Sequence, residues 1–152
     1  MSETISLSRR RLRTWIRLLR LTRRSESHLR EFLRVNHDTT LPRFDVMAAL
    51  HRNEAPMKMS ELSRMLLVSN GNATTVITRL EQDGWVVRTP VKTDRRVIEV
   101  QMTDQGRAEF EILAAAHETE VDKLFSDLGH DELDALRDLL QRARGDDDDT
   151  DE

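Results

Sequence analysis

The sequence contains no cysteine and has few glycines, prolines and aromatic residues. Its 152 residues include five Gly, three Pro and 4% aromatic residues, a composition that favours a helical protein. The absence of cysteine excludes thiol catalysis, disulfide bonds and cysteine redox sensing. No apolar run reaches the length of a membrane span, and residues 1–13 lack the apolar segment of a secretory signal. We therefore expect a cytosolic (cytoplasmic) protein, and its length suits one domain, or one domain with an appended oligomerisation element.

Charge is distributed unevenly along the chain. The formal net charge is −4, yet residues 1–97 carry 19 Lys/Arg and 10 Asp/Glu, whereas residues 98–152 carry 5 and 18. Six of these acids lie in the last eight residues, GDDDDTDE. Such a block of like charge predicts an acidic disordered tail at 146–152. The rest of the chain is nearly balanced and its first two-thirds is basic, which favours a polyanionic partner.

Helical periodicity covers most of the chain. A long first helix is predicted at about 7–36, where apolar residues recur every three or four positions: Leu12, Trp15, Ile16, Leu19, Leu29, Phe32 and Leu33. Three shorter helices are predicted at about 43–53, 60–67 and 70–83, the first of them opened by Pro42. Thr103 can cap a fifth helix at about 104–127, and a sixth follows Gly129 at about 131–144.

Between the fourth and fifth helices the pattern becomes that of strands. The β-branched runs GWVVRTP and RVIEVQM are separated by VKTD, which predicts a hairpin with a basic tip. We therefore predict a mainly α fold, with a winged helix-turn-helix domain at 37–103. The helices of the flanking segments, 1–36 and 104–145, cannot bury their apolar sides against so small a core. Two copies of the chain that interleave these helices across a two-fold interface would form a homodimer.

The predicted fourth helix shows little charge on its polar side. At about 100° per residue, Ala73, Val76, Ile77 and Leu80 form one apolar stripe, and Ser69 or Asn70 can cap the first free amides. The opposite side is polar but almost uncharged, with Gly71, Asn72, Thr74, Thr75, Thr78, Arg79 and Gln82. Its first two turns hold no carboxylate that would repel phosphate. Asn can pair with an adenine edge and Thr can contact any base, so this side suits the major groove of DNA.

The hairpin tip adds a second indication of DNA binding. It places Lys92, Arg95 and Arg96 one short strand after the fourth helix, and an arginine at such a tip can enter a narrow minor groove. Either feature alone also fits a solvated surface without a partner. Together, at this spacing, they indicate double-stranded DNA as the partner.

The chain at this point resembles the MarR family of bacterial transcription regulators over about residues 10–140. DRRVIEVQMTDQG, from Asp94 to Gly106, is similar to the family's wing signature, although Met102 stands where the family usually has Leu. MSELSRMLLVSNGNATTVITRLEQDGWVVR resembles the family's paired helices and the strand after them. The resemblance implies a winged helix-turn-helix homodimer that binds a pseudo-palindromic operator, with the first, fifth and sixth helices at the dimer side.

The resemblance also implies roles for individual residues. Arg95 would be the minor-groove arginine, with Lys92 and Arg96 beside it, and Asp94 would hold the shape of the wing by pairing with a nearby Arg. Arg79 would contact a phosphate. The residues that would face the major groove are Ser69, Asn70, Asn72, Thr74, Thr75 and Thr78.

A narrower likeness concerns the effector. LPRFDVMAALHR and VSNGN look similar to members that control aromatic-acid breakdown and respond to aromatic acids or their coenzyme A thioesters. Such a ligand would lie between the dimer helices and the winged domain, near Trp15, Arg43, Met47, His51 and His117. These residues equally fit a packed core with hydrogen-bonded histidines. The eight arginines between residues 9 and 24 fit a solvated face, contacts with DNA phosphates, or the anion-binding edge of the ligand site.

Other classes of function fit the sequence less well. It has no phosphate-cradling Gly loop and no zinc-protease helix motif, so we expect neither an enzyme nor a bound cofactor. A metal-responsive regulator stays open as an alternative, although the five histidines are scattered and any metal site of His and Asp/Glu would have to be assembled from distant segments. A protein-interaction module that uses the acidic C-terminal half stays open as an alternative. Among regulators, the family likeness favours repression over activation.

Overall fold

A computed structural model describes residues 5–68 and 72–145 of the chain, without the side chains of residues 67 and 68. Within these ranges the elements are α1 (Leu7–His37), α2 (Leu41–Asn53), β1 (Met57–Lys58), α3 (Met59–Val68), α4 (Ala73–Gln82), β2 (Val86–Val91), β3 (Asp94–Met102), α5 (Asp104–Leu124) and α6 (His130–Arg144). The mainly helical winged helix-turn-helix fold predicted from the sequence is confirmed. The predicted tail, residues 146–152, lies outside the described residues.

The N-terminal ends of the helices follow from short polar side chains. Ser6 caps α1 by accepting the Arg9 N–H, and Thr40 caps α2 by accepting the Arg43 N–H at 3.3 Å. At α5, the Thr103 Oγ1 accepts the Gly106 N–H at 2.9 Å, as predicted. These bonds satisfy amides that have no partner inside their helices.

Helix α4 begins later than the sequence predicted. Its first residue is Ala73 rather than residue 70, because Asn72 supplies the N-cap: the Asn72 Oδ1 accepts the Thr75 N–H at 3.1 Å. The predicted cap at Ser69 or Asn70 lies outside the described residues.

The core brings together the C-terminal end of α1, helices α2 to α4, the sheet and the first turns of α5. Its fully buried members include Leu33, Met47, Ile77 and Val100. The predicted apolar stripe of α4 is confirmed, since its four residues are all buried: Ala73, Val76, Ile77 and Leu80. Burying this stripe fixes which side of α4 faces solvent.

The wing is part of a three-stranded antiparallel sheet with the order β1–β3–β2. Val86 pairs with Met102 at the base, Val91 pairs with Asp94 at the tip, and the register shifts between Pro90 and Val91. The sequence analysis predicted the hairpin but missed β1. A strand of two residues carries no periodicity of its own and exists only through its pairing with β3.

The chain divides into two compact units, Met1–Glu118 and Thr119–Glu152. In the second unit, α6 exposes Leu133, Leu139 and Leu140. In the first, the N-terminal half of α1 exposes an apolar stripe that includes Leu12 and Trp15. None of the helices in the described part of the chain is long and apolar enough to cross a membrane.

Candidate nucleic-acid interface

The outer side of α4 presents hydroxyl groups and one guanidinium to solvent. Thr74, Thr75 and Arg79 are exposed, and Thr78 is half-buried. Arg79 makes no ion pair with any residue in the described ranges. This side can therefore donate and accept hydrogen bonds and can neutralise a phosphate, as a major-groove reader requires.

Asn72 has a structural task besides the predicted base contact. Its Oδ1 accepts the Thr75 N–H, which uses one of the two lone pairs of the side-chain carbonyl. Its amide group stays exposed at the helix N-terminus, where backbone N–H groups also favour an anion. Ser69 and Asn70 lie outside the described residues.

The wing neutralises Glu81, an acid in the last turn of α4. Glu81 accepts three hydrogen bonds from Arg88 of β2: from its backbone N–H at 3.1 Å, Nε at 3.3 Å and Nη2 at 2.9 Å. Hydrogen bonding from Arg88 lowers the pKa of Glu81, and the same bonds raise that of Arg88. This pairing neutralises the negative charge of Glu81 and ties the wing to α4.

The wing tip is cationic. Lys92, Arg95 and Arg96 are all exposed. Asp94 pairs with Arg96, whose Nε lies 3.2 Å from the Asp94 Oδ1 and whose backbone N–H donates to the same oxygen. These hydrogen bonds lower the pKa of Asp94, and they are the pairing with a nearby Arg that the resemblance implied. Arg95 makes no ion pair with any described residue and is the free guanidinium of the tip.

A compact cluster closes the C-terminal end of α4. Gly84, at φ 78°, and Trp85 donate their N–H groups to Glu81 O and Leu80 O, which is a Schellman motif. Arg43 of α2 forms an ion pair with the C-cap residue Asp83, and its guanidinium carbon lies 5.0 Å from the centroid of the Trp85 ring. Helix α2 is thereby joined to the end of α4.

The predicted ligand residues lie in different environments. His117 stacks on Phe44 with ring centroids 4.3 Å apart, and His51 packs on Phe110 at 4.9 Å. Burial lowers the pKa of His117. Met47 is fully buried in the core, whereas Trp15 is 58% exposed. The structure thus joins the two histidines in one aromatic cluster with Phe44 and Phe110.

Helix α2 also carries a half-buried carboxylate, that of Asp45. Burial, together with the negative charge of Glu26 on α1, raises the pKa of Asp45 to about 6. Within the part of the chain that the structure describes, no group of three or more His, Asp or Glu side chains could hold a metal ion.

The residues that join α4 to the wing and to α2 were not predicted from the sequence. The Gly84 signal was readable, since glycine just after a helix is a C-cap signal. The Glu81–Arg88 and Arg43–Asp83 pairs join different elements, and no spacing rule connects them.

The second helix of the motif, α4, has an exposed polar side, and the β2–β3 hairpin has a basic tip. This combination is typical of winged helix-turn-helix proteins. Residues 39–98 match the sequence model of the MarR family. The HTH-type transcriptional regulator PecS of Dickeya dadantii is 35% identical over 102 residues, and the match covers 66% of this chain and 61% of PecS. The HTH-type transcriptional regulator MhqR of Bacillus subtilis is 26% identical over 90% of this chain and 93% of its own.

Solved structures give the same result. A Cys-to-Ser mutant of E. coli MarR, complexed with operator DNA, superposes with a TM-score of 0.72 and 27% identity. That match covers 91% of this chain and 98% of MarR. The chain is thus similar to winged helix-turn-helix transcriptional regulators of the MarR family. The match to PecS spans less than two-thirds of that relative's length.

Proposed function

We propose that the protein is a ligand-responsive transcriptional regulator that binds double-stranded DNA as a homodimer in the cytoplasm. One observation carries the proposal: the outer side of α4 offers hydroxyls and Arg79, while the acid closest to it, Glu81, is neutralised by Arg88. A surface without a free carboxylate can approach phosphates, and its hydroxyls can contact base edges. The similarity to MarR, whose structure holds operator DNA, supports it.

In this proposal α4 lies in the major groove and the wing in the adjacent minor groove. Thr74, Thr75 and Thr78 contact bases, Arg79 contacts a phosphate, and Arg95 enters the minor groove beside Lys92 and Arg96. The N-terminal residues of such helices read the bases, so Ser69, Asn70 and Asn72 complete the predicted contact set. Two α4 helices about one DNA turn, or ~34 Å, apart would require a pseudo-palindromic operator. The family likeness favours repression.

Dimerisation would cover the helices that a single chain leaves exposed. Leu12 and Trp15 of α1 are 57% and 58% exposed, and Leu139 of α6 is 60% exposed. The α1 segment 7–25 carries eight arginines and no acid, whereas α6 begins with the acidic run HDELD. Helix α1 of one protomer and α6 of its partner would therefore both offer apolar surface and would carry opposite charges. In this proposal residues 1–36 and 104–145 form the dimer side.

Arg95→Ala tests DNA binding. We expect a duplex selected from a random-sequence library by the wild-type protein to bind the variant about tenfold more weakly, with the log–log salt slope smaller in magnitude by about 1. Fluorescence anisotropy at several salt concentrations measures both quantities. Lys58→Ala, which removes an exposed cation from β1, serves as the matched control. Unchanged affinity for Arg95→Ala, or no duplex enriched by the wild type, would favour the protein-interaction alternative.

We further propose a small aromatic acid or its coenzyme A thioester as the effector, near Trp15, Arg43, Met47, His51 and His117. The aromatic rings of Phe44, Phe110 and the two histidines would suit a planar ligand, and Arg43 its carboxylate. Such a ligand would stabilise a dimer whose two α4 helices are wrongly spaced for DNA.

Calorimetry with benzoate, hydroxybenzoates and aromatic acyl-coenzyme A thioesters tests this effector class. We expect at least one compound to bind and to weaken duplex binding between about 5-fold and 150-fold, and DNA to weaken its binding by the same factor. The effector proposal is wrong if every compound leaves both the heat signal and the DNA affinity unchanged.

A further inference from the structure

Arg43 lies where α2 meets the end of α4, away from the side of α4 that would contact DNA. Its side chain is 12% exposed, and its Nη2 forms an ion pair with the Asp83 carboxylate. The guanidinium also lies over the indole of Trp85 at 5.0 Å. A planar cation can hold a carboxylate at its edge and an aromatic ring at its face at the same time.

Both partners of Arg43 belong to the Schellman motif that ends α4. Asp83 is the C-cap residue, and its N–H donates to Arg79 O. Trp85 donates its N–H to Leu80 O at 2.9 Å, and its carbonyl accepts the Thr103 N–H at 3.0 Å. Arg43 therefore contacts the last turn of α4 at two points, and Trp85 continues the connection to the N-terminal end of α5.

Stability alone does not explain these residues. The negative end of the helix dipole makes a carboxylate at the C-terminus of α4 unfavourable. The Arg43 Nε is buried and makes no hydrogen bond within the described residues, which is also unfavourable. The Asp83 side chain is 45% exposed, so the ion pair is only partly buried. Such a pair often brings no net stabilisation, but it can select one arrangement of the elements that it joins.

The other end of this connection is rigid. Helix α2 contributes Val46 and Met47 to the core, and both have no exposed surface. A contact from α2 can thus fix the direction of α4 relative to the body of the domain.

We propose that Arg43 is a positioning residue for DNA recognition, which orients α4 by holding Asp83 and Trp85 and does not itself contact DNA. This inference rests on the proposed function, because it assumes that α4 reads the DNA. In the effector-free protein, Arg43 would thus orient α4. A carboxylate ligand that drew Arg43 away from Asp83 would release the end of α4.

Asp83→Asn is the decisive variant, because two effects predict opposite signs. If Asp83 acted only through its charge, removing a carboxylate near phosphates would tighten DNA binding. If Arg43 positions α4 through Asp83, the variant binds the selected duplex about tenfold more weakly, with an unchanged salt slope. Glu54→Gln is the control, since it removes an equal charge from an exposed residue at the end of α2.

A double-mutant cycle with Arg43→Gln completes the test. Each single variant should bind the selected duplex more weakly and should show a relaxed base preference when the random-sequence selection is repeated with it. The double variant should bind no more weakly than whichever single variant has the lower affinity. Affinity is calculated per folded dimer, with folding checked by circular dichroism, so a loss of stability alone would leave it unchanged. If Arg43→Gln does not fold, Arg43→Lys replaces it, and we expect it to bind between the wild type and Asp83→Asn.

Three results would overturn the inference while leaving the proposed function intact. They are Asp83→Asn binding as tightly as the wild type or more tightly, additive effects in the cycle, or an Arg43 variant that reduces the salt slope as Arg95→Ala does. If the wild-type protein itself selects no duplex, the proposed function fails, and this inference fails with it.

Discussion

Thr75→Glu is expected to abolish specific DNA binding while leaving the fold as stable as before or slightly more stable. Thr75 is exposed and is the third residue of α4 after the cap Asn72. A carboxylate there would face phosphates and base edges across a surface that carries no unpaired acid. Juxtaposing like charges costs several kcal/mol, so the affinity for the selected duplex should fall by at least about 100-fold.

The same change should favour the helix itself. Glutamate three residues after an N-cap can complete a capping box with the cap residue's own N–H, and its charge interacts favourably with the helix N-terminus. We expect the free energy of unfolding, measured by urea denaturation, to stay unchanged or to rise by about 0.5 kcal/mol. A rise in stability with a loss of binding cannot come from misfolding.

Thr75→Gln separates charge from size. Glutamine has the length of glutamate but remains neutral, and it can still donate to and accept from a base. We expect it to keep far more affinity than Thr75→Glu. If both variants lost the same affinity for DNA, the larger side chain and not the added negative charge would be the cause. Full binding by Thr75→Glu would show that this side of α4 does not face DNA.

The buried side of α4 was predictable because periodicity and burial are local properties. Ala73, Val76, Ile77 and Leu80 recur at helical spacing, and each is buried. The start of the helix was predicted three residues too early. Asn70 and Asn72 are both good cap residues, and local propensity does not choose between them. Only the structure places the Asn72 Oδ1 against the Thr75 N–H.

Contacts between distant residues were beyond the sequence. Arg43 and Asp83 are 40 positions apart, and the sequence offered Arg43 only as a possible anion ligand. Met47 fitted both a ligand wall and the core, and the structure buries it completely. Strand β1 was missed because its two residues form a strand only by pairing with β3. In each case the deciding partner comes from another element.

Gly106→Ala should destabilise the protein strongly, although helix propensity predicts the opposite. Gly106 lies in the first turn of α5, where alanine is normally favoured over glycine by about 1 kcal/mol. A Cβ at this position, however, would lie 2.0 Å from the Trp85 carbonyl oxygen. That oxygen accepts the Thr103 N–H, and Trp85 is bonded to the last turn of α4. Because the obstacle is backbone held at both ends, we expect a loss of about 3 kcal/mol in the free energy of unfolding.

Gly129→Ala is the matched control for this clash. A Cβ there would lie 2.9 Å from the Glu132 Oε2, the end of a flexible side chain that can turn away, so the change should cost less than about 1 kcal/mol. Urea denaturation of both variants measures the difference. If Gly106→Ala were as stable as the wild type, the Trp85 carbonyl could move freely relative to α5. Trp85 would then be unable to hold α4 in a fixed direction, and Arg43 could not position α4 through its contact with Trp85.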